Sequence, residues 1–430
     1  MRRAAAPEVD AAGSGPSDQG RRSPCGGAGL AAAVASAMAL AFVVPFILGV
    51  LGPFIIEDLR LPDSSIGILV ATSFAVAMVS SLMAGRIVDN ASDRWLLPGL
   101  SLYCALAVVC VSVSPTYTWL LVAVGASGIA QAAANPVTNR LILDHVTASR
   151  RGFVMGVKQS GVQAGSFFAG LVLPAVALTR GWRGAVRVVA LVALVVMLLS
   201  WRAVPTTSIP VHPPDFRRLG ALPSGELRRL MAYVFFMGGG VAATTAYLPL
   251  YGQDGFGMGE PAAGALVAVL GATGIVARIA WAHRANRAGS VFPGLLTLAG
   301  GAAIFAMVIW QADDLGVWAL WVGAAGLGAT AVAQQSVSML GVVNLTTGRP
   351  GQNTAMASMA FFAGFIGSPI ACGVLLDNSA GYGPSWLLAV LQFTLAALAV
   401  LGARRSDVES DGATRGRVSG LPGQSIAAPP

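Results

Sequence analysis

Lys158 is the only lysine in this chain; every other basic side chain except the histidines is arginine. It lies in Gly156-Val157-Lys158-Gln159-Ser160-Gly161, inside a long apolar stretch. A charge at the centre of a membrane helix costs roughly 2.5–3.5 kcal/mol on insertion scales, so such a group points to a functional site. Amides accompany it. Gln131, Asn135 and Asn139 recur at every fourth residue and share one helix face. Gln159 and Gln163 share another, with Lys158 about 100° away around the helix. Thr330, Gln334 and Ser338 repeat the four-residue spacing, and Thr244, Tyr247 and Tyr251 follow a helical spacing of their own. One cation among hydrogen-bonding amides can bind and orient a polar solute, and the sign of the charge favours an anion. The candidate binding residues are therefore Lys158, Gln131, Asn135, Asn139, Gln159, Gln163, Tyr247 and Gln334. Two other uses stay open. The amides could be helix–helix glue, and the Lys158 stem could snorkel to the membrane surface.

The acidic residues sharpen the reading. All 19 carboxylates fall in tails, loops or segment ends, among them Glu57, Asp58, Asp89, Asp144, Asp254, Asp313 and Asp377. Proton relays in membranes usually use Asp, Glu or His in mid-span, and the histidines, at 145, 212 and 283, lie in loops. Cys25, Cys104, Cys110 and Cys372 lack metal-ligand or CxxC spacing. No Walker loop, HExxH or nucleophile–base constellation is present. The chain thus reads as a non-enzyme with no catalytic residue, metal or cofactor.

These side chains must be held by membrane helices. The chain is 55% hydrophobic and 11% charged, with mean hydropathy +0.71, whereas a soluble domain carries about 25% charged residues. A spanning helix needs about 20 mostly apolar residues. Twelve such segments are expected near 30–55, 64–85, 96–114, 118–139, 153–178, 185–203, 230–251, 261–281, 292–310, 317–341, 352–376 and 384–402. With the N-terminus placed in the cytoplasm, only Arg60, Arg180, Arg183 and Arg187 fall near the outer side, and the remaining arginines all fall inside. The pI of 9.9 therefore records the positive-inside rule rather than a nucleic-acid partner. On this topology Arg278 sits near the inner end of its segment and reads as an anchor.

The expected organisation is a disordered cytoplasmic tail over 1–28, a six-helix half over 29–203, a cytoplasmic linker over 204–229, a second six-helix half over 230–403 and a disordered cytoplasmic tail over 404–430. No cleavable signal peptide is evident. The expected setting is a cell membrane crossed many times, with both termini inside and the protein monomeric.

The halves resemble each other. Asp63-xxx-Gly67 recurs as Glu260-xxx-Gly264, and Gly152 and Gly165 recur as Gly351 and Gly364. The second register sets Gln131, Asn135 and Asn139 on Thr330, Gln334 and Ser338, and Lys158 on Ala357. The charge is therefore not part of the shared scaffold. Parallel repeats place a binding site between them near the bilayer midplane.

Six plus six segments, the central linker and a charged loop after the second segment resemble the major facilitator superfamily over residues 30–402. That family's loop motif is Gly-xxx-Asp-Arg/Lys-x-Gly-Arg-Arg/Lys. Gly85, Asp89 and Arg94 match it, while Asn90, Ser92 and Asp93 depart. The resemblance implies an all-α membrane fold of twelve helices in two pseudo-symmetric halves, and a gate at Gly85, Asp89 and Arg94. Asp89 would latch the cytoplasmic ends of the halves, and a helix N-terminus near Gly351 offers the positive dipole to do so. Two other family patterns are missing. Val124 stands where proton-coupled members carry an arginine, and Gly161, Gly170 and Pro174 give only part of the antiporter motif. The implied activity is gradient-driven movement of a small solute by alternating access, with an anion favoured. Efflux of a neutral or amphipathic compound is the second reading, and a non-transporting receptor on the same scaffold the third.

Overall fold

The computed structural model describes residues 26–62, 64–203, 224–346, 350–378 and 381–418. Most of the expected linker and tails lies outside the described residues. All regular structure among the described residues is helical.

The first half comprises α1 (Gly26–Ala41), α2 (Val43–Leu59), α3 (Ser64–Asn90), α4 (Asp93–Ser112), α5 (Tyr117–His145) and α6 (Ala148–Ala203). α1 and α2 meet at a 46° bend and form one span. α6 is 56 residues long, too long for one crossing of a bilayer about 30 Å thick. Gly181 breaks it at φ 69°, ψ 166°, outside helical geometry, in a region that glycine enters without a Cβ penalty. The second half comprises α7 (Gly225–Phe256), α8 (Glu260–Arg287), α9 (Phe292–Trp310), the short α10 (Ala312–Leu315), α11 (Trp318–Leu327), α12 (Gln334–Leu345), α13 (Pro350–Asn378) and α14 (Gly383–Val418). A π-helical segment, Gly328–Val332, joins α11 to α12 within one span. The described helices accordingly fit twelve crossings, six in each half.

Helix starts follow local chemistry. Thr116 accepts from the Trp119 N–H to cap α5, and Ser224 accepts from Leu227 N–H to cap α7, both at 3.3 Å. The perimeter is strongly apolar. Val79 is 75% exposed, Leu178 76% and Phe167 65%, a surface that lipid can solvate and water cannot. Small residues allow close packing in the first half. A Cβ on Gly161 would strike the Ala35 backbone, so α1 lies directly against α6.

The chain direction puts the end of α3, the start of α6 and the end of α8 on one side of the membrane, which also carries most of the arginines; this is the basic side. There the halves are tied to each other. Asn286 Nδ2 on α8 donates to the Ala148 and Ser149 carbonyls of α6 at 2.9 and 3.2 Å. Deeper in, Ser160 Oγ donates to the Ile275 carbonyl at 3.2 Å. On the opposite side each half is tied to itself. Arg183 and Trp182 donate to Asp58 at 2.6 and 3.1 Å, Tyr251 donates to Asp313 at 2.7 Å, and Tyr382 donates to Asp254. Hydrogen bonds tie the halves from the basic side up to the middle of the bundle, and past that level Phe74 of α3 packs on Phe362 and Phe365 of α13 with ring centroids 6.0 and 4.8 Å apart.

Candidate functional site

Lys158 lies on α6, about 15 Å along the helix from Ala148. It is fully buried. Its Nζ donates to Asn135 Oδ1 at 3.0 Å and to Asn139 Oδ1 at 2.5 Å, both on α5. A fully buried Lys158 nitrogen turned toward two amide oxygens of α5 is not snorkelling, so that use of the side chain does not apply in this conformation. Gln159 Nε2 donates to the same Asn135 oxygen at 3.2 Å. The four-residue spacing on α5 is what lets two amides meet one lysine. Neighbouring Pro136, inside the helix, leaves its turn without one backbone donor.

Asn139 also reaches the second half. Its Nδ2 donates to Thr354 Oγ1 of α13 at 3.3 Å and points at Met339 Sδ of α12 at 3.7 Å. The Lys158 cluster thus sits on the seam between halves. Gln131, one turn farther from the basic side, donates to Ser73 Oγ of α3. The three amides of the α5 stripe all face protein and are buried. Each takes part in contacts between helices, as the glue reading anticipated, and Asn135 and Asn139 hold the cation as well.

Arg278 is the residue that sequence reasoning misplaced. It does not anchor α8 at the surface but is buried, 6% exposed. Its Nε donates to the Val332 carbonyl at 3.0 Å, at the end of the π segment. One guanidinium nitrogen donates to the Gln159 carbonyl and to Gln163 Oε1. A π turn widens the helix and changes the pairing of its carbonyls, and here one of them receives a guanidinium. Nothing in the sequence around Arg278 signals this; the approach is set by small Gly156, where a Cβ would meet the Ile279 and Arg278 backbone.

The remaining candidates are more scattered. Gln334 is buried and donates to its neighbour Gln335 at 3.2 Å. The side-chain oxygens of Gln131 and Gln334 are buried without a hydrogen-bond partner among the described residues, an unfavourable state that an entering polar group would relieve. Tyr247 is half-buried, and its hydroxyl donates to the Pro369 carbonyl at 3.0 Å, within the second half.

The gate residues divide. Asp89 accepts from the backbone N–H of Gly351 at 2.7 Å and of Gln352 at 2.9 Å, in the first turn of α13, where the helix dipole favours a negative charge. Gly85 makes the approach feasible, since a Cβ there would lie 2.6 Å from Ala355 Cβ and 2.7 Å from the Gly351 oxygen. Arg94 stands apart from this contact. Its guanidinium lies 5.7 and 5.6 Å from the ring centroids of Trp95 and Trp201. Asp93, which departs from the family motif, pairs with Arg140 at 2.9 Å and with His145 at 3.0 Å.

The comparisons with known proteins agree with this architecture. The profile described as Major Facilitator Superfamily matches residues 30–371. A crystal structure of a transporter of that superfamily, FucP, in the outward conformation superposes with a TM-score of 0.67 at 16% identity, covering 86% of this chain and 97% of that one. A bacterial homologue of the iron transporter ferroportin, in an outward-facing state, gives 0.70 at 12% identity, covering 87% and 98%. At such identities the likeness is one of fold. No curated protein matches by sequence.

Proposed function

The chain belongs to the major facilitator superfamily, and from that premise we propose that it carries a small anion between its two halves, with Lys158 supplying the attraction. It is a multi-pass secondary transporter of a small-molecule solute and not an enzyme; the anionic character of the solute is the proposed part. One observation carries it. Lys158 is buried at mid-membrane depth against Asn135 and Asn139, with no carboxylate within ion-pair reach among the described residues. A buried cation without a counter-ion is costly, and an anion arriving between the halves removes that cost. Asn135, Asn139, Gln159 and Gln163 then orient the solute, while Gln131 and Gln334 offer unpaired amide oxygens to its polar groups.

Alternating access follows from rocking of the halves. The contact of Asp89 with the first turn of α13 acts as a latch that closes the basic side, which the arginine distribution assigns to the cytoplasm together with both termini. The protein works as a monomer in the cell membrane. Coupling is by proton co-transport with the anion or by anion exchange, in keeping with the lack of acidic residues in mid-span. Uptake and counterflow of a panel of small anions in proteoliposomes test the proposal. Transport of at least one anion is expected, with loss of most of the flux in Lys158→Ala. Full transport by that variant overturns the role of Lys158.

A further inference from the structure

Four charged side chains are buried among the described residues: Asp93, Arg140, Lys158 and Arg278. Asp93 and Arg140 pair at 2.9 Å and cancel. Lys158 and Arg278 do not cancel anything. Their hydrogen bonds go to amide and backbone oxygens alone. They come from different halves and are linked through Gln159. Lys158 donates to Asn135, Asn135 accepts from the Gln159 side chain, and the Gln159 carbonyl accepts from Arg278. They also share a depth. Lys158 lies about 15 Å from the basic-side end of α6 and Arg278 about 14 Å from that end of α8, at 1.5 Å per residue. Between them α6 presents Gln159 and Gln163, the second of which is only half-buried. The interior at this level therefore holds two basic side chains with no carboxylate partner among the described residues, one from each half.

We propose that Arg278 is the second cation of the solute site and that the transported solute is a dianion, such as a dicarboxylate or a phosphate monoester, bridging Lys158 of the first half and Arg278 of the second. This rests on the anion reading given above and goes beyond it in naming the charge and a residue that selects it. The physical reason is that a monoanion neutralises one of two buried charges and leaves the other exposed to the cost of low-dielectric burial, whereas a dianion neutralises both. Arg is suited to the task because its planar fork binds carboxylate or phosphate in two places at once. The same bridge couples binding to movement. An anion that draws Arg278 away from Gln159, Gln163 and Val332 releases a tie between α6 and the second half.

The test is thermal stabilisation of the full-length protein purified in detergent, read against matched probes that differ by one charge. The first series is malonate, succinate and glutarate, each beside its monoamide. The second is phenyl phosphate beside methyl phenyl phosphate. In the wild-type protein at least one dianion is expected to bind at least about tenfold more tightly than its singly charged partner, corresponding to about 1.4 kcal/mol. Arg278→Gln is expected to bring the two members of that pair to equal affinity, Arg278→Lys to keep the preference, and Lys158→Gln to weaken both. Equal binding of all pairs by wild-type protein overturns the dianion proposal and leaves the anion reading standing. So does an unchanged preference in Arg278→Gln. If Arg278→Gln does not fold, the wild-type ratio and Arg278→Lys still decide, since loss of the preference in Arg278→Lys with the positive charge kept overturns the role assigned to that charge. Stabilisation by no anion of either series overturns both this proposal and the reading on which it rests.

Discussion

Lys158 Nζ donates to Asn139 Oδ1 at 2.5 Å, and the nitrogen of that same amide is committed to Thr354 across the seam at 3.3 Å. A buried cation of the first half is thus held by an amide that also holds the second half. Any solute that competes for the ammonium acts on a contact between halves, which is what alternating access requires of a binding event.

Asn139→Asp supplies Lys158 with an internal counter-ion at nearly constant shape. The expected result is a folded protein whose anion transport falls at least about tenfold, because the fixed carboxylate takes the place of the solute's charge. Counterflow in proteoliposomes, with melting temperature as the control for folding, checks it. Unaltered transport would show that the positive charge is not used by the solute.

Asp89→Asn removes the charge that accepts from Gly351 and Gln352. Charge-assisted bonds at a helix N-terminus are worth about 1–2 kcal/mol. The closed basic side should become roughly 5–30-fold less favoured against the alternative state. Spin labels on the basic-side ends of α3 and α13 should report a population with longer distances.

Gly85→Val places a branched side chain where Ala355 and the Gly351 oxygen already lie within 2.7 Å of a Cβ. Closure of the basic side should fail, and transport should fall at least about tenfold while the protein still inserts, as expected for overpacking of a tight interface. The same labels, showing an unchanged distance distribution, would contradict the role given to this approach.

Asp58→Asn breaks the ion pair with Arg183 on the opposite side, where both side chains are substantially exposed. Exposed pairs contribute about 0–1 kcal/mol. This pair lies within the first half, so transport is expected to stay near wild-type level and the melting temperature to shift little. A large loss of transport would mean that this side is also part of the gate.

Much of the fold was legible because hydropathy is local. Long apolar runs, the clustering of arginine and the recurrence of glycines at a fixed offset require no knowledge of the tertiary arrangement. The amide stripe on α5 was legible for the same reason, since a four-residue spacing defines a helix face wherever the helix goes. The contact of Asp89 with the first turn of α13 was legible only through the family resemblance joined to the helix dipole. Arg278 was misread. Near the end of an apolar segment, an arginine that anchors and an arginine that turns inward look alike in one dimension.

From the amino-acid sequence alone follow residence in a membrane, a twofold repeat of six helices and a single lysine in mid-span without an acidic companion in the same region. These are properties of composition and period. The tertiary structure decided what the lysine touches, that Arg278 is linked to it through Gln159, that Gly181 and the π segment interrupt their helices, and that Asp89 meets the first turn of α13. The side-chain contacts depend on which helix faces which, and the bonds of Arg278 to Gln159 and of Asp89 to Gly351 join residues more than one hundred positions apart. Packing of small residues such as Gly85, Gly156 and Gly161 sets those approaches, and packing is not encoded in any single stretch of chain.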